Sequence, residues 1–324
     1  MSDPNNTLPA VPPQDHFSVE EDVETSNTRS YSQGQLVLRR FLRHKAAMVS
    51  LVVLAFVVLI AFTSIGWGPI PGWWPKDYTT PYPLVNEARP TIQFLPPSLG
   101  EHPFGQNTIG KDYFALVMRG LQQSLFVAFT VGILATIIGT AVGAIAGYFR
   151  GLVEAFLMRT TDLFIIIPTL VLAAVLGRMT GANIVMLALV LAVVSWTGLA
   201  RLVRGEVLSL REREFVMAAR ALGTPAPRII VRHILPNALG TIVVNATLLI
   251  SAAILLETAL SFLGFGVRPP DTSLGLLVSD YQNALTTRPC LCWIPGMFIL
   301  VISLCVNFIG DGLRDAFDPR QQMD

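Results

Sequence analysis

Charge is scarce in this chain: Asp, Glu, Lys and Arg make up 14% of its 324 residues, against about 25% in ordinary soluble domains. Over half of the residues are hydrophobic, and the mean hydropathy is +0.56, which excludes most soluble classes and points to a membrane protein. Histidine is just as sparse. His16, His44, His102 and His233 are scattered, and no H-E-x-x-H, G-x-S-x-G or spaced Cys/His cluster is present to hold a metal or activate a nucleophile. Of the three cysteines, Cys305 lies in an apolar run and reads as a small buried hydrophobe. Cys290 and Cys292 leave a disulfide or thiol pair open. Paired intramembrane carboxylates are also missing, which argues against a membrane-embedded enzyme. With only Glu257 and the span-end Asp162 and Asp311 in apolar segments, an ion-coupled secondary transporter or channel is disfavoured too.

One phosphate-loop look-alike is rejected. Gly105-Gln-Asn-Thr-Ile-Gly110-Lys111 fits G-x-x-x-x-G-K, but Asp112 follows where Ser or Thr should hold magnesium. No apolar strand precedes the segment, and an anionic Asp repels phosphate.

What the chain does have is apolar runs, six of them, each near the ~20 residues that cross ~30 Å of hydrocarbon. They cover about Ala46–Ile65, Ser124–Tyr148, Asp162–Met179, Ile184–Val203, Ala238–Phe262 and Trp293–Leu313. The predicted fold class is therefore all-α, a polytopic membrane protein with six transmembrane helices. Arginine and lysine concentrate in the N-terminal segment and in alternate loops, so the positive-inside rule predicts both termini cytoplasmic. Residues 1–38 are polar and acidic, and read as a disordered cytoplasmic tail. Residues 39–66 form an uncleaved anchor span and 67–120 an external loop. Trp67, Trp73 and Trp74 at the start of that loop fit either the headgroup belt or packing beneath the loop. Residues 121–313 form the transmembrane domain, with a cytoplasmic loop at 204–236, and 314–324 a cytoplasmic tail.

The polar island Arg201–Pro236 carries seven arginines and three glutamates between two apolar runs. Each Arg costs about 2.5–3.5 kcal/mol at a helix centre in the membrane, so the island lies in water. Within it, Phe215, Ala218, Ala219 and Leu222 recur at helical spacing on one face, with Arg211, Glu212, Glu214 and Arg220 mostly elsewhere. Gly223 stands where a helix C-cap sits, and Pro225 and Pro227 predict a break. A second short run, Ile229–Leu235, is predicted to stop at Pro236. The pattern describes a helix–turn–helix hairpin on the membrane surface, with small alanines open to close approach by another protein. In the second span Gly132, Gly139, Gly143 and Gly147 predict close helix packing. Pro168 predicts a kink in the third span. Glu257, in the fifth, must face protein, water or a partner, as a gate or as a hydrogen bond to a neighbouring helix.

Met217-Ala218-Ala219, Gly223 and Leu235-Pro236 fall in register with the E-A-A-x3-G-x9-I-x-L-P loop of binding-protein-dependent ABC importers, Met217 replacing the Glu. With His102-Pro-Phe-Gly105, Glu257-Thr-Ala-Leu-Ser-Phe-Leu-Gly264 and Gly310-Asp-Gly-Leu-Arg-Asp-Ala-Phe-Asp-Pro319, the chain resembles permease subunits of the dipeptide/oligopeptide/nickel branch. Arg39-Arg-Phe-Leu-Arg43 ahead of the first span is similar to the C-type subunit. The resemblance implies a bacterial inner-membrane subunit that is not itself an enzyme and forms half of a translocation pathway. The expected partners are a homologous second permease subunit, two cytoplasmic ATPase subunits or one fused pair, and an extracytoplasmic substrate-binding protein. It implies no nucleic acid. ATP and magnesium would sit on the ATPases, with no cofactor on this chain. Phe215, Ala218, Ala219, Arg220, Leu222 and Gly223 would couple to an ATPase, and the cargo would be peptides or, alternatively, nickel or another small solute.

Overall fold

A computed structural model of the chain describes residues 33–317 apart from 95, 96, 99 and 182. The described residues open with α1 (Gln33–Arg43), followed by α2 (Lys45–Ser64). The expectation of disorder through residue 38 is thus corrected from Gln33 onward, and the rest of that tail lies outside the described residues. The reason is amphipathicity: Leu36, Val37, Arg40 and Phe41 form a half-buried stripe toward the last helix. His44 breaks the two helices apart and caps α2, its Nδ1 accepting from Ala47 N at 3.1 Å.

Between α2 and the next helix the chain forms two short antiparallel hairpins, β1 (Gly66–Trp67) with β2 (Ile70–Pro71) and β3 (Gln93–Phe94) with β4 (Pro97–Ser98). The external loop was expected to run to residue 120, but α3 (Tyr113–Phe149) begins directly after Asp112. Asp112 is its N-cap, with Oδ1 accepting from Ala115 N at 2.7 Å. Polar Arg119, Gln122 and Gln123 hide this start from the apolar pattern.

After α3 come two bent pairs. Helices α4 (Gly151–Ile166) and α5 (Thr169–Met179) turn by 88° at Ile167–Pro168. Helices α6 (Ile184–Ser195) and α7 (Thr197–Arg211) turn by 44° around Trp196. The hairpin follows as α8 (Glu214–Ala221) and α9 (Ala226–Ile229). The break expected at Pro225 and Pro227 falls between α8 and α9, but Pro236 does not stop the second arm. Pro227 sits in the first turn of α9, where its missing N–H costs nothing. A π turn at Ile230–Ile234 then carries the chain into α10 (Leu235–Phe262), with Leu235 N bonded to Ile230 O and Pro236 in the first turn. Helices α11 (Leu274–Tyr281) and α12 (Cys290–Phe317) complete the chain. Among the described residues four helical stretches are long and apolar enough to cross a membrane, and up to six if each bent pair is one span.

Helix α3 is central, packed against α7, α10, α6 and α2. Its glycines meet backbone. A Cβ at Gly139, Gly143 or Gly147 would lie 2.8, 2.5 or 2.8 Å from the carbonyl oxygens of Trp196, at the bend before α7, or of Ala200 or Arg204 on α7. One at Gly132 would lie 2.2 Å from Ile250 Cγ1 on α10. Cys290 and Cys292 occupy the first turn of α12 and are both free. Residues two apart on a helix point away from one another, so they do not bridge. Cys305 is buried, free and midway along the same helix.

Candidate functional site

At one end of the bundle the arginine-rich hairpin presents α8. Gly223, at φ +76°, closes that helix with Gly223 N bonded to Arg220 O and Thr224 N to Ala219 O, both near 3.0 Å. This is a Schellman arrangement, which a left-handed residue makes possible. Val216 and Ala219 turn inward, into a cluster with Val203 and Val207 of α7 and Ile229, Ile230 and Ile234 of the second arm. Phe215, Ala218 and Leu222 occupy the outer side beside Met217, and Leu222 is 86% exposed. Ala219, grouped by the sequence pattern with Phe215, Ala218 and Leu222, is instead buried against the base of the hairpin. With Val216 at i and Ala219 at i+3, that strip packs on the hairpin's own base.

Two arginines, Arg211 at the end of α7 and Arg220 on α8, hold the end of α3. Arg211 and Arg220 stack over the Tyr148 ring at 5.7 and 5.5 Å, and Arg211 Nη1 donates to Tyr148 O at 2.5 Å. Arg150 pairs with Glu212 at 2.8 Å. On the flank, Arg204 Nε donates to Glu154 at 2.7 Å and Arg201 pairs with Asp162, tying α7 to α4 around a cavity of about 520 Å³. Pro168 lies farther along, capping α5, where its carbonyl accepts from Val171 N and Leu172 N at 2.9 and 3.0 Å.

Glu257 lies toward the opposite end of α10, fully buried. Ser124 on α3 donates to Oε2 at 2.9 Å and Ser261 to Oε1 at 2.6 Å. Each serine oxygen also accepts a backbone N–H: Leu274 N at 3.2 Å on Ser124, and Val267 N at 3.1 Å on Ser261. One side chain thus joins α3, α10 and the entry to α11. Sequence shows only its i, i+4 partner Ser261; Ser124 is remote along the chain.

That same end is closed by the segment before α3. His102 Nδ1 lies 2.6 Å from Asp112 Oδ2, both side chains buried, and His102 Nε2 lies 2.8 Å from Lys76 Nζ. Trp74 donates to Asp112 and packs on Phe114 at 4.9 Å, so this tryptophan is packed beneath the loop. Arg119 grips Asp271 through Nε and Nη2 at 2.9 and 2.7 Å. In the look-alike phosphate loop, Asn107 Oδ1 accepts from Ile109 N and Lys111 N at 3.1 and 2.8 Å. The amides that would cradle phosphate are already occupied by the loop's own side chain.

The helical bundle thus carries a packed cap at one end and an arginine-rich hairpin at the other. The fold is similar to that of a solved methionine ABC transporter in an inward-facing conformation, with a TM-score of 0.52 at 20% identity over 63% of this chain and 97% of that one. Residues 139–323 match the family of binding-protein-dependent transport system inner membrane components, and residues 32–97 match the N-terminal transmembrane domain of oligopeptide transport permease C. The OppC oligopeptide transport permease of Mycobacterium tuberculosis is 41% identical over 90% of this chain and 96% of its own length. Its Haemophilus influenzae counterpart is 36% identical over 94% of each, and the Bacillus subtilis one 33% identical over 92% and 93%. The chain belongs to the binding-protein-dependent transport permeases, in the OppC group.

Proposed function

We propose that the chain is the C-type permease subunit of a peptide importer, and that the outer face of α8 is where ATP hydrolysis on a partner acts. The observation that carries the coupling role is the exposed strip Phe215, Ala218 and Leu222 on a short helix braced from behind by Val216, Ala219 and the Tyr148 clasp. An apolar strip on a helix fits a groove on another protein. The hairpin continues into α7 on one side and α10 on the other, so a push on α8 reaches two membrane helices as a rigid-body movement.

The arginine content of the hairpin end supports a cytoplasmic placement for it and for both termini. In this reading a second, homologous permease subunit supplies the other half of the pathway, and two cytoplasmic ATPases, or a fused pair, bind ATP and magnesium. A binding protein outside delivers the cargo. Peptide as that cargo is supported by the names of the OppC relatives. Glu257 serves as the bond that holds the outer end of the bundle shut, and Pro168 as the fixed bend of its span.

The test is uptake of a labelled peptide by the complete complex in proteoliposomes. Leu222→Glu should abolish ATP-dependent uptake while membrane insertion persists, whereas Ala219→Glu should also destabilise the hairpin and lower yield. Normal uptake by Leu222→Glu would end the docking assignment. Uptake of nickel chelates without peptide uptake would end the cargo assignment.

A further inference from the structure

Helix α1 has two faces. Leu36, Val37, Arg40 and Phe41 form the half-buried one. It rests near the end of α12, where a Cβ at Gly312 would meet the Phe41 ring at 3.4 Å, and where His44 Nε2 lies 3.4 Å from Asp315. The other arc carries Leu38 and Leu42, 57% and 53% exposed, with exposed Arg39 and Arg43 one residue beyond each. At 3.6 residues per turn the leucines fall on one strip and the arginines on the strip beside it. Exposed Lys45 then opens α2, whose outward side continues apolar through Val49, Val52 and Phe56.

This combination selects its partner. A membrane span starts one residue after α1 ends and His44 intervenes, so the outer arc sits at headgroup depth, within reach of the bilayer before any soluble protein. Leucines beside a basic strip suit a helix lying in the interface plane, with its apolar side toward acyl chains and its cations among phosphates. The inner face gives the contact a consequence. Phe317, at the end of α12, packs on Gly240, where an added Cβ would lie 3.0 Å from Phe317 Cβ. Gly240 is in the first turns of α10, which is continuous with the second arm of the hairpin.

We propose that α1 is an in-plane helix that binds anionic phospholipid headgroups through Arg43 and Lys45, and so seats the ends of α12 and α10 beneath the coupling hairpin. The inference rests on the cytoplasmic placement proposed above for that end. The rival occupant is the chain's own segment 1–32, which is rich in acid through Asp15, Glu20, Glu21, Asp22 and Glu24 and has Arg29 as its one strong base.

The experiment places the complete complex in nanodiscs of phosphatidylcholine, alone or mixed with phosphatidylglycerol. Retained phosphatidylglycerol is counted by native mass spectrometry and peptide-stimulated ATPase rates are compared between the two membranes. Each basic side chain near an anionic surface contributes about a five-fold change in affinity, so Arg43→Gln with Lys45→Gln should weaken phosphatidylglycerol retention by about 25-fold. The conservative pair Arg43→Lys with Lys45→Arg should restore it, which separates charge from folding. Leu38→Ser with Leu42→Ser should weaken retention of both lipids. Equal retention by parent and the glutamine pair would overturn the proposal. Retention that appears only after deletion of residues 1–32 would assign the face to that segment and overturn it as well. Because lipid retention is read without transport, failure here is distinct from failure of the peptide reading, which uptake by the parent complex decides.

Discussion

Replacing Glu257 by Gln tests the buried bond between α3, α10 and α11 at the level of single hydrogen atoms. Each carboxyl oxygen accepts from a different serine, Ser124 at 2.9 Å and Ser261 at 2.6 Å. Each serine hydroxyl has one hydrogen to give, and its oxygen already accepts the N–H of Leu274 or Val267. Gln keeps the shape but offers one acceptor oxygen instead of two, so one serine hydrogen loses its partner in a fully buried site. An orphaned buried donor costs about 1–3 kcal/mol. Glu257→Ala orphans both serines and leaves a void, so it should cost more than Gln does. The assays are the melting temperature of the purified complex and its ATPase rate without binding protein. Glu257→Gln should lower the first by several degrees and, under the gating role proposed for Glu257, raise the second, because that end of the bundle is held less firmly. Combining it with Ser124→Ala should cost less than the two changes summed, since residues sharing a network do not add. Matching melting temperatures and matching basal rates for parent and Gln variant would refute the reasoning.

Gly143→Leu should destabilise the chain by at least the ~1–3 kcal/mol typical of overpacking, because its Cβ would meet Ala200 O at 2.5 Å. Gly205→Ala, where an added Cβ meets nothing within 4 Å, should instead be neutral or raise the melting temperature by up to about 1 kcal/mol worth of helix propensity. Lys111→Ala should leave the ATPase rate of the complete complex unaltered; loss of nucleotide binding in that variant would show the loop to be a true phosphate site.

The apolar runs, the arginine island and the glycine stripe were legible because each follows from local spacing and from the cost of charge in hydrocarbon. The start of α3 was not. Arg119 and Gln122 look like loop residues until their partners are known, and those partners, Asp271, Ala61 O and Gly66 O, are far away in the chain. Pro236 reads as a stop because proline usually is one within a helix; a first-turn position after a π turn removes the penalty. The inward turn of Ala219 was equally hidden. Its helix has apolar residues on two sides, and only the position of Ile229 and Val207 decides which side is covered.

Helix α3 has 37 residues, which at 1.5 Å each is about 55 Å of rod in a membrane whose hydrocarbon is about 30 Å thick. Both ends of that rod are fastened. Asp112 and His102 hold the first turn, and Arg211 and Arg220 grip Tyr148 at the last. No proline interrupts it and its glycines are wedged against α7 and α10. Under the coupling role proposed for α8, a displacement at the hairpin would arrive at the far cap as tilt or translation of one stiff lever, with no joint along the way in which the stroke could be lost.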